Sequence, residues 1–177
     1  MDQPGRPFFR QRRIRLRTRM QVYNCMVMSV LLYGAEAWAC TDEQLQPLEV
    51  FHHRCLRRML GVRRSLRMPI PELLRRCGSR SITAMLAGRQ LRWLGHLGRM
   101  GDERIARQAL YSTVAAPGTR CPGRQPPCLG DKYMQLVQSH LPSRALARAG
   151  LPRAQRNWHA ACQDRTMWRR ICADVLS

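Results

Sequence analysis

Apolar residues along this chain recur at steps of three and four, and nowhere do they alternate by twos between hairpin turns. Steps of three and four return side chains to one face of a helix, whereas a strand needs steps of two. The expected fold class is therefore all-α. The spacing predicts one long helix from about Phe8 to Trp38, with Met20, Tyr23, Val27, Val30, Leu31 and Gly34 along its second half. Its first half, RQRRIRLRTR, is charged nearly all round and must stay solvated or meet an anion.

Thr41, followed three residues later by Gln44, fits a capping box that opens a second helix. Leu45, Leu48, His52, Cys55, Leu56 and Met59 share one of its faces, Pro47 kinks it or marks its first turn, and Gly61 is placed to close it in a left-handed cap. Pro69 and Pro71 start a short helix that stops at Cys77-Gly78. Ser81 caps the next, in which Ile82, Met85, Leu86, Trp93, Leu97 and Met100 form the apolar stripe. With a short helix near Glu103 to Tyr111, these make a helical bundle over residues 1–112.

Between 113 and 130, Pro117, Gly118, Pro122, Gly123 and Pro126 rule out a helix and define a Pro/Gly-rich linker loop. A small second helical subdomain is expected over 131–177. It would hold a helix near Asp131 to Leu141, a short one after Pro142, and a last helix from about Arg153 to Asp174 carrying Trp158, Ala161, Arg165, Trp168, Cys172 and Val175.

Charge narrows the partner. The chain carries 31 basic and 11 acidic side chains, a formal charge of +20, and every basic residue except Lys132 is arginine. Arginine's planar fork suits phosphate oxygens and base edges, and repeated cations on one helix face match repeated phosphates. The run RQRRIRLRTR contributes Arg12, Arg13, Arg15, Arg17 and Arg19, and RCLRRMLGVRRSLR contributes Arg57 and Arg58. Arg89, Arg92 and Arg99 lie beside Trp93, with His96 between Arg92 and Arg99. Arg92 and Arg99 are seven residues apart, two turns and about 10.5 Å along one face. The alternative for each run is a solvated helix surface.

Other classes recede on the same evidence. No pair of acids suggests a two-metal carboxylate site, no Gly-rich phosphate loop follows a strand, and His52, His53, His96, His140 and His159 have no recognisable nucleophile beside them. The chain reads as non-enzymatic and without a cofactor. Cys121, Cys128, His159 and Cys162 could supply soft ligands for zinc, but their intervals are unlike a zinc finger, so reduced thiols and no metal are expected. The longest uncharged stretch, Met20 to Ala35, contains Gln21, Asn24 and Ser29 and falls short of the about 20 apolar residues of a membrane span. A basic leader ending at Ala35-Glu36-Ala37 imitates a secretory signal, and the acid-free interval between Asp2 and Glu36 imitates a mitochondrial presequence. The interrupted apolar run argues against secretion, and a nuclear or cytoplasmic protein with no membrane contact is expected.

Taken together, LLYGAEAW at Leu31 to Trp38, LEVFHHRCLRRMLGV at Leu48 to Val62 and RQLRWLGHLGRM at Arg89 to Met100 resemble the region just after the catalytic palm in non-LTR (LINE-type) retrotransposon reverse transcriptases. RIARQALY at Arg104 to Tyr111, GTRCPGRQ at Gly118 to Gln125, and the pattern of Trp158, Ala161, QDRT and Trp168-Arg169 are similar to the sequence after that family's thumb. The resemblance covers roughly residues 11–172. It implies a thumb-like helical bundle and part of the C-terminal region, which grip template RNA and primer DNA. By residue type the matching candidates are Arg57, Arg58, Arg92, His96, Arg99, Arg124 and Arg165. Cys121 and Cys128 stand where the family usually has polar residues.

The aromatic-Ala-Asp-Asp palm motif, the endonuclease domain and the Cys/His finger of that family do not occur in this sequence. The expected function is a non-catalytic nucleic-acid-binding fragment that holds RNA or an RNA–DNA duplex. A helical protein-interaction or structural module, and a subunit that needs a palm in trans, are the alternatives. A thumb without its palm would also bare the Met20 to Leu31 face and self-associate.

Overall fold

The computed structural model describes Phe9 and residues 13–62, 67–115, 129–141 and 157–175. Among these residues all regular structure is helical, and none of the helices is long and apolar enough to cross a membrane. The expected helix after Pro142 and most of the 113–130 loop lie outside the described residues, and the described ends of that loop, 113–115 and 129–130, are helical, so the loop is shorter than expected at both ends.

The first helix, α1 (Leu16–Tyr23), begins later than its periodicity suggested. Arg15 caps it in an extended conformation with ψ 141° and no side-chain hydrogen bond. Arginines packed at short spacing repel one another on a helix, and that repulsion disfavours extending the first turn back through Arg13. A π-helical turn (Asn24–Met28), where the Ser29 hydroxyl donates to the Cys25 carbonyl, leads into α2 (Ser29–Leu31). Gly34, at φ 65°, then turns the chain into a 3-10 turn (Ala35–Ala37), which ends the helix before Trp38.

Glycine also ends α3 (Asp42–Leu60) and α4 (Ile70–Cys77). Gly61 sits at φ 69°, and the amides of Val62 and Gly61 donate to the carbonyls of Arg57 (3.1 Å) and Arg58 (3.2 Å). Gly78, at φ 59°, repeats the motif, with Ser79 bonded to Leu74 (3.0 Å) and Gly78 to Arg75 (3.1 Å). Both left-handed caps satisfy carbonyls that the helix leaves open. Asp42 and Glu43 occupy the first turn of α3, and Arg57 and Arg58 the last, each complementing the helix dipole. Pro47 lies inside α3, past its first turn. The Ser81 hydroxyl caps α5 (Ile82–Gly98) by accepting from the Ala84 amide at 3.1 Å.

There follow α6 (Ile105–Ala115), α7 (Leu129–His140), α8 (Trp158–Ala161) and α9 (Arg165–Val175). The single last helix expected from Arg153 to Asp174 is thus broken in two. The Asp164 carboxylate accepts from the amides of Thr166 (2.7 Å) and Met167 (3.1 Å) and so starts a new helix at the break.

The chain divides into two compact units, one of residues 1–33 and 42–85, the other of 34–41 and 86–177. This differs from the expected division at the 113–130 loop, because the later half of α5 shares a core with the helices that follow it. In the second unit Leu91, Leu94, Leu97, Leu110, Tyr133 and Trp168 belong to one buried cluster, with Trp93 and Met100 only partly buried against it. The Trp168 indole lies over Gly95, where a Cβ would come within 2.1 Å of it, and its Nε1–H donates to the Leu91 carbonyl at 3.0 Å. In the first unit Met20, Tyr23, Leu45, Leu56, Met59, Leu73 and Ile82 are buried, while Met26, Val30 and Tyr33 form an exposed apolar row at steps of four and three.

A buried histidine ties this first unit together. His52 Nε2 lies 3.0 Å from the Arg80 carbonyl, which can only accept, so Nε2 carries the proton. Nδ1 is then free to accept from the Tyr23 hydroxyl at 2.9 Å, and the two rings stack at 5.7 Å. Burial lowers the His52 pKa below its ordinary 6.5, and burial also lowers that of His53. A proton on Nδ1 would remove the acceptor that the Tyr23 hydroxyl uses. The unfolded chain therefore takes up protons first as pH falls, and stability declines below about 6.5, the unfolded value. Chemical unfolding monitored from pH 7.5 to 5 will show this loss, and His52→Gln will flatten the profile while lowering stability at neutral pH. An identical profile in the variant would contradict the assignment.

Candidate nucleic-acid interface

Beside its buried side α3 carries Gln46, Glu49, Val50, His53, Arg54, Arg57 and Arg58, at the three- and four-residue steps of a helical stripe that runs from half-buried Glu49 and His53 to exposed Arg54 and Arg58. These residues border an open groove of about 760 Å³, completed by Val62 and Ile70. From Gln46 to Arg58 the stripe runs about 18 Å at 1.5 Å per residue, long enough to follow a stretch of nucleic-acid backbone.

Among the described residues that line the groove the one acid is Glu49, and one of its carboxylate oxygens is engaged. Glu49 Oε1 accepts from the Thr83 amide (2.8 Å) and hydroxyl (3.0 Å), and its Oε2 faces His53 Nε2 at 3.6 Å. Among the described residues no carboxylate lies within ion-pair distance of Arg54, Arg57 or Arg58. Arg75 and Arg76 present the contrast. Both bind Glu72, at 2.8 and 2.6 Å, and hold its carboxyl down at about 2. An anion at those two must compete with a carboxylate, whereas in the α3 groove none of the three arginines has a described carboxylate within ion-pair distance.

Arg57 and Arg58, expected from the sequence, thus lie in the groove together. Arg54 was not among the expected residues, although its place one turn before Arg57 and Arg58 was a readable signal. Arg13, Arg15 and Arg17 are exposed, but Arg19 is buried and must be withdrawn as a ligand contact. Its Nη1 donates to the Met59 carbonyl at 2.6 Å and the Phe9 carbonyl at 3.2 Å, so it satisfies the end of α3 instead. Arg12 and Arg124 lie outside the described residues.

On α5, in the second unit, the expected row is only partly present. Arg92 and His96 are exposed, with the His96 ring 5.1 Å from Trp93. Arg99 is half-buried and donates to the Cys162 carbonyl at 2.7 Å, and Arg89 lies 3.7 Å from Glu36. Arg165 is exposed at the start of α9.

Cys162 is buried with its thiol donating to the His159 carbonyl at 3.1 Å, Cys121 and Cys128 lie outside the described residues, and no group of three metal-ligating side chains occurs among those described. Six cysteines are described and all are free. No family model matches this chain, and neither does any curated protein or solved structure.

Proposed function

We propose that this chain is a non-catalytic nucleic-acid-binding element, the thumb-like and post-thumb part of a retroelement reverse transcriptase, acting in the nucleus or cytoplasm. The observation that carries the proposal is the row Arg54, Arg57 and Arg58, which borders a groove whose acid, Glu49, is bound through one oxygen by the Thr83 amide and hydroxyl. Cations without carboxylate partners attract a polyanion by releasing its counterions, and they do so with little reading of sequence. The resemblance in LEVFHHRCLRRMLGV falls on this same helix and supports RNA, or RNA paired with DNA, as the polyanion. Of the Met20 to Leu31 face expected to self-associate, Met20, Tyr23 and Met28 are buried, and Met26 and Val30, with the neighbouring Tyr33, remain exposed as the surface through which copies of the chain would meet.

Filter binding to RNA and to an RNA–DNA duplex tests this reading. With about five to seven phosphates neutralised, log affinity should fall with log salt at a slope near −4 to −6. Primer extension by the purified chain should yield no product. Absence of binding at low salt would overturn the nucleic-acid reading, and template-dependent synthesis would overturn the non-catalytic one.

A further inference from the structure

A second pocket lies in the first unit, between α1 and α3, with a volume of about 410 Å³. Its walls include the rings of Phe9, Tyr23 and Phe51, and Arg58 lines both this pocket and the basic groove. From these observations we infer that the pocket is a nucleobase site, so that this face takes single-stranded nucleic acid with one base turned into the protein. The inference rests on the nucleic-acid reading above and specifies its ligand.

The chemistry favours a base over other apolar groups. Aromatic walls stack on the π-face that every base possesses, and the pocket lies in the usual size range of about 300–1,000 Å³ for small-molecule sites. Phe51 is 43% exposed, so it is within reach of a ligand, while Tyr23 is 2% exposed and its hydroxyl is committed to His52. Few polar groups therefore remain to read a base edge, and recognition is by stacking with little sequence preference. A base within a duplex cannot enter without being unstacked, so a single strand is the ligand that fits. An alkyl carboxylate could fill the pocket and meet Arg58, but it would leave Arg54 and Arg57 without a role. A chain of phosphates joined to bases accounts for all three arginines and the pocket together.

Fluorescence anisotropy on the full chain tests this with two probes, a short oligouridylate and an abasic oligomer of equal length and charge. The unmodified chain should prefer the base-bearing probe about tenfold. Phe51→Ala should abolish the preference while leaving abasic binding and its salt slope unchanged. Phe51→Leu, which keeps an apolar side chain without a ring, should abolish most of it and guards against a folding artefact. Arg58→Gln should weaken both probes. Equal affinity for the two probes, or an undiminished preference in both Phe51 variants, would overturn the base pocket and leave the nucleic-acid reading standing. If neither probe binds, that reading falls and the pocket with it. Stoichiometric binding of dodecanoate lost on Phe51→Ala, without any base preference, would assign the pocket to an alkyl ligand instead.

Discussion

Gly95→Ala is expected to lower the stability of the second unit by about 3 kcal/mol, moving its thermal midpoint down by roughly 10–20 °C. Two effects oppose each other at this position. Alanine is the better helix former by about 1 kcal/mol, which alone would stabilise α5. The added Cβ, however, would lie 2.1 Å from Trp168 Nε1 and 2.4 Å from its Cδ1, distances at which the indole must move. Trp168 is 2% exposed among close neighbours and holds the Leu91 carbonyl at 3.0 Å, so moving it disturbs the core around it. The clash outweighs the propensity.

Trp168→Ala should cost about 3–5 kcal/mol through the cavity it leaves. In a Trp168→Leu background Gly95→Ala should cost clearly less than it does alone, because the obstacle is gone. Calorimetry of the parent, Gly95→Ala, Trp168→Leu and the double variant gives the coupling. A neutral or stabilising Gly95→Ala would show that the indole does not rest on this glycine.

What could be read from the sequence follows from how far apart the interacting groups are. Gly61, Gly78 and Ser81 act on backbone groups within five residues, so their caps were legible in advance. The Asp164 cap is as local as these, yet the apolar periodicity from Trp158 to Cys172 runs straight through it and suggested one continuous helix. Long-range partners decided the rest. Arg17 and Arg19 look alike in the run RQRRIRLRTR, and only the Met59 carbonyl, 40 positions away, buries one and leaves the other in water. Arg99 is likewise claimed by the Cys162 carbonyl, 63 positions away, which removes it from the expected row on α5. In the candidate site Arg57 and Arg58 stood out by clustering. The groove itself, and the restraint of Glu49 by Thr83 across 34 positions, could come only from the fold.

The second large effect concerns those arginines. Arg54→Gln/Arg57→Gln/Arg58→Gln should weaken RNA binding on the order of 100-fold at 0.1 M salt, since each lost phosphate contact removes about 0.7–0.9 from the slope of log affinity on log salt. The loss should be uniform across sequences, because phosphate contacts carry no base information. Stability should change little, as Arg54 and Arg58 are exposed and none of the three ends in a carboxylate pair among the described residues. Arg75→Gln/Arg76→Gln makes the control, because these two cations share the Glu72 carboxylate, so an anion there must compete with it. The decisive measurement is the salt dependence of RNA affinity for the parent, the triple variant and this control. The α3 groove as the binding face predicts a slope shallower by about two to three in the triple variant and nearly unchanged in the control; equal slopes in all three chains would contradict it.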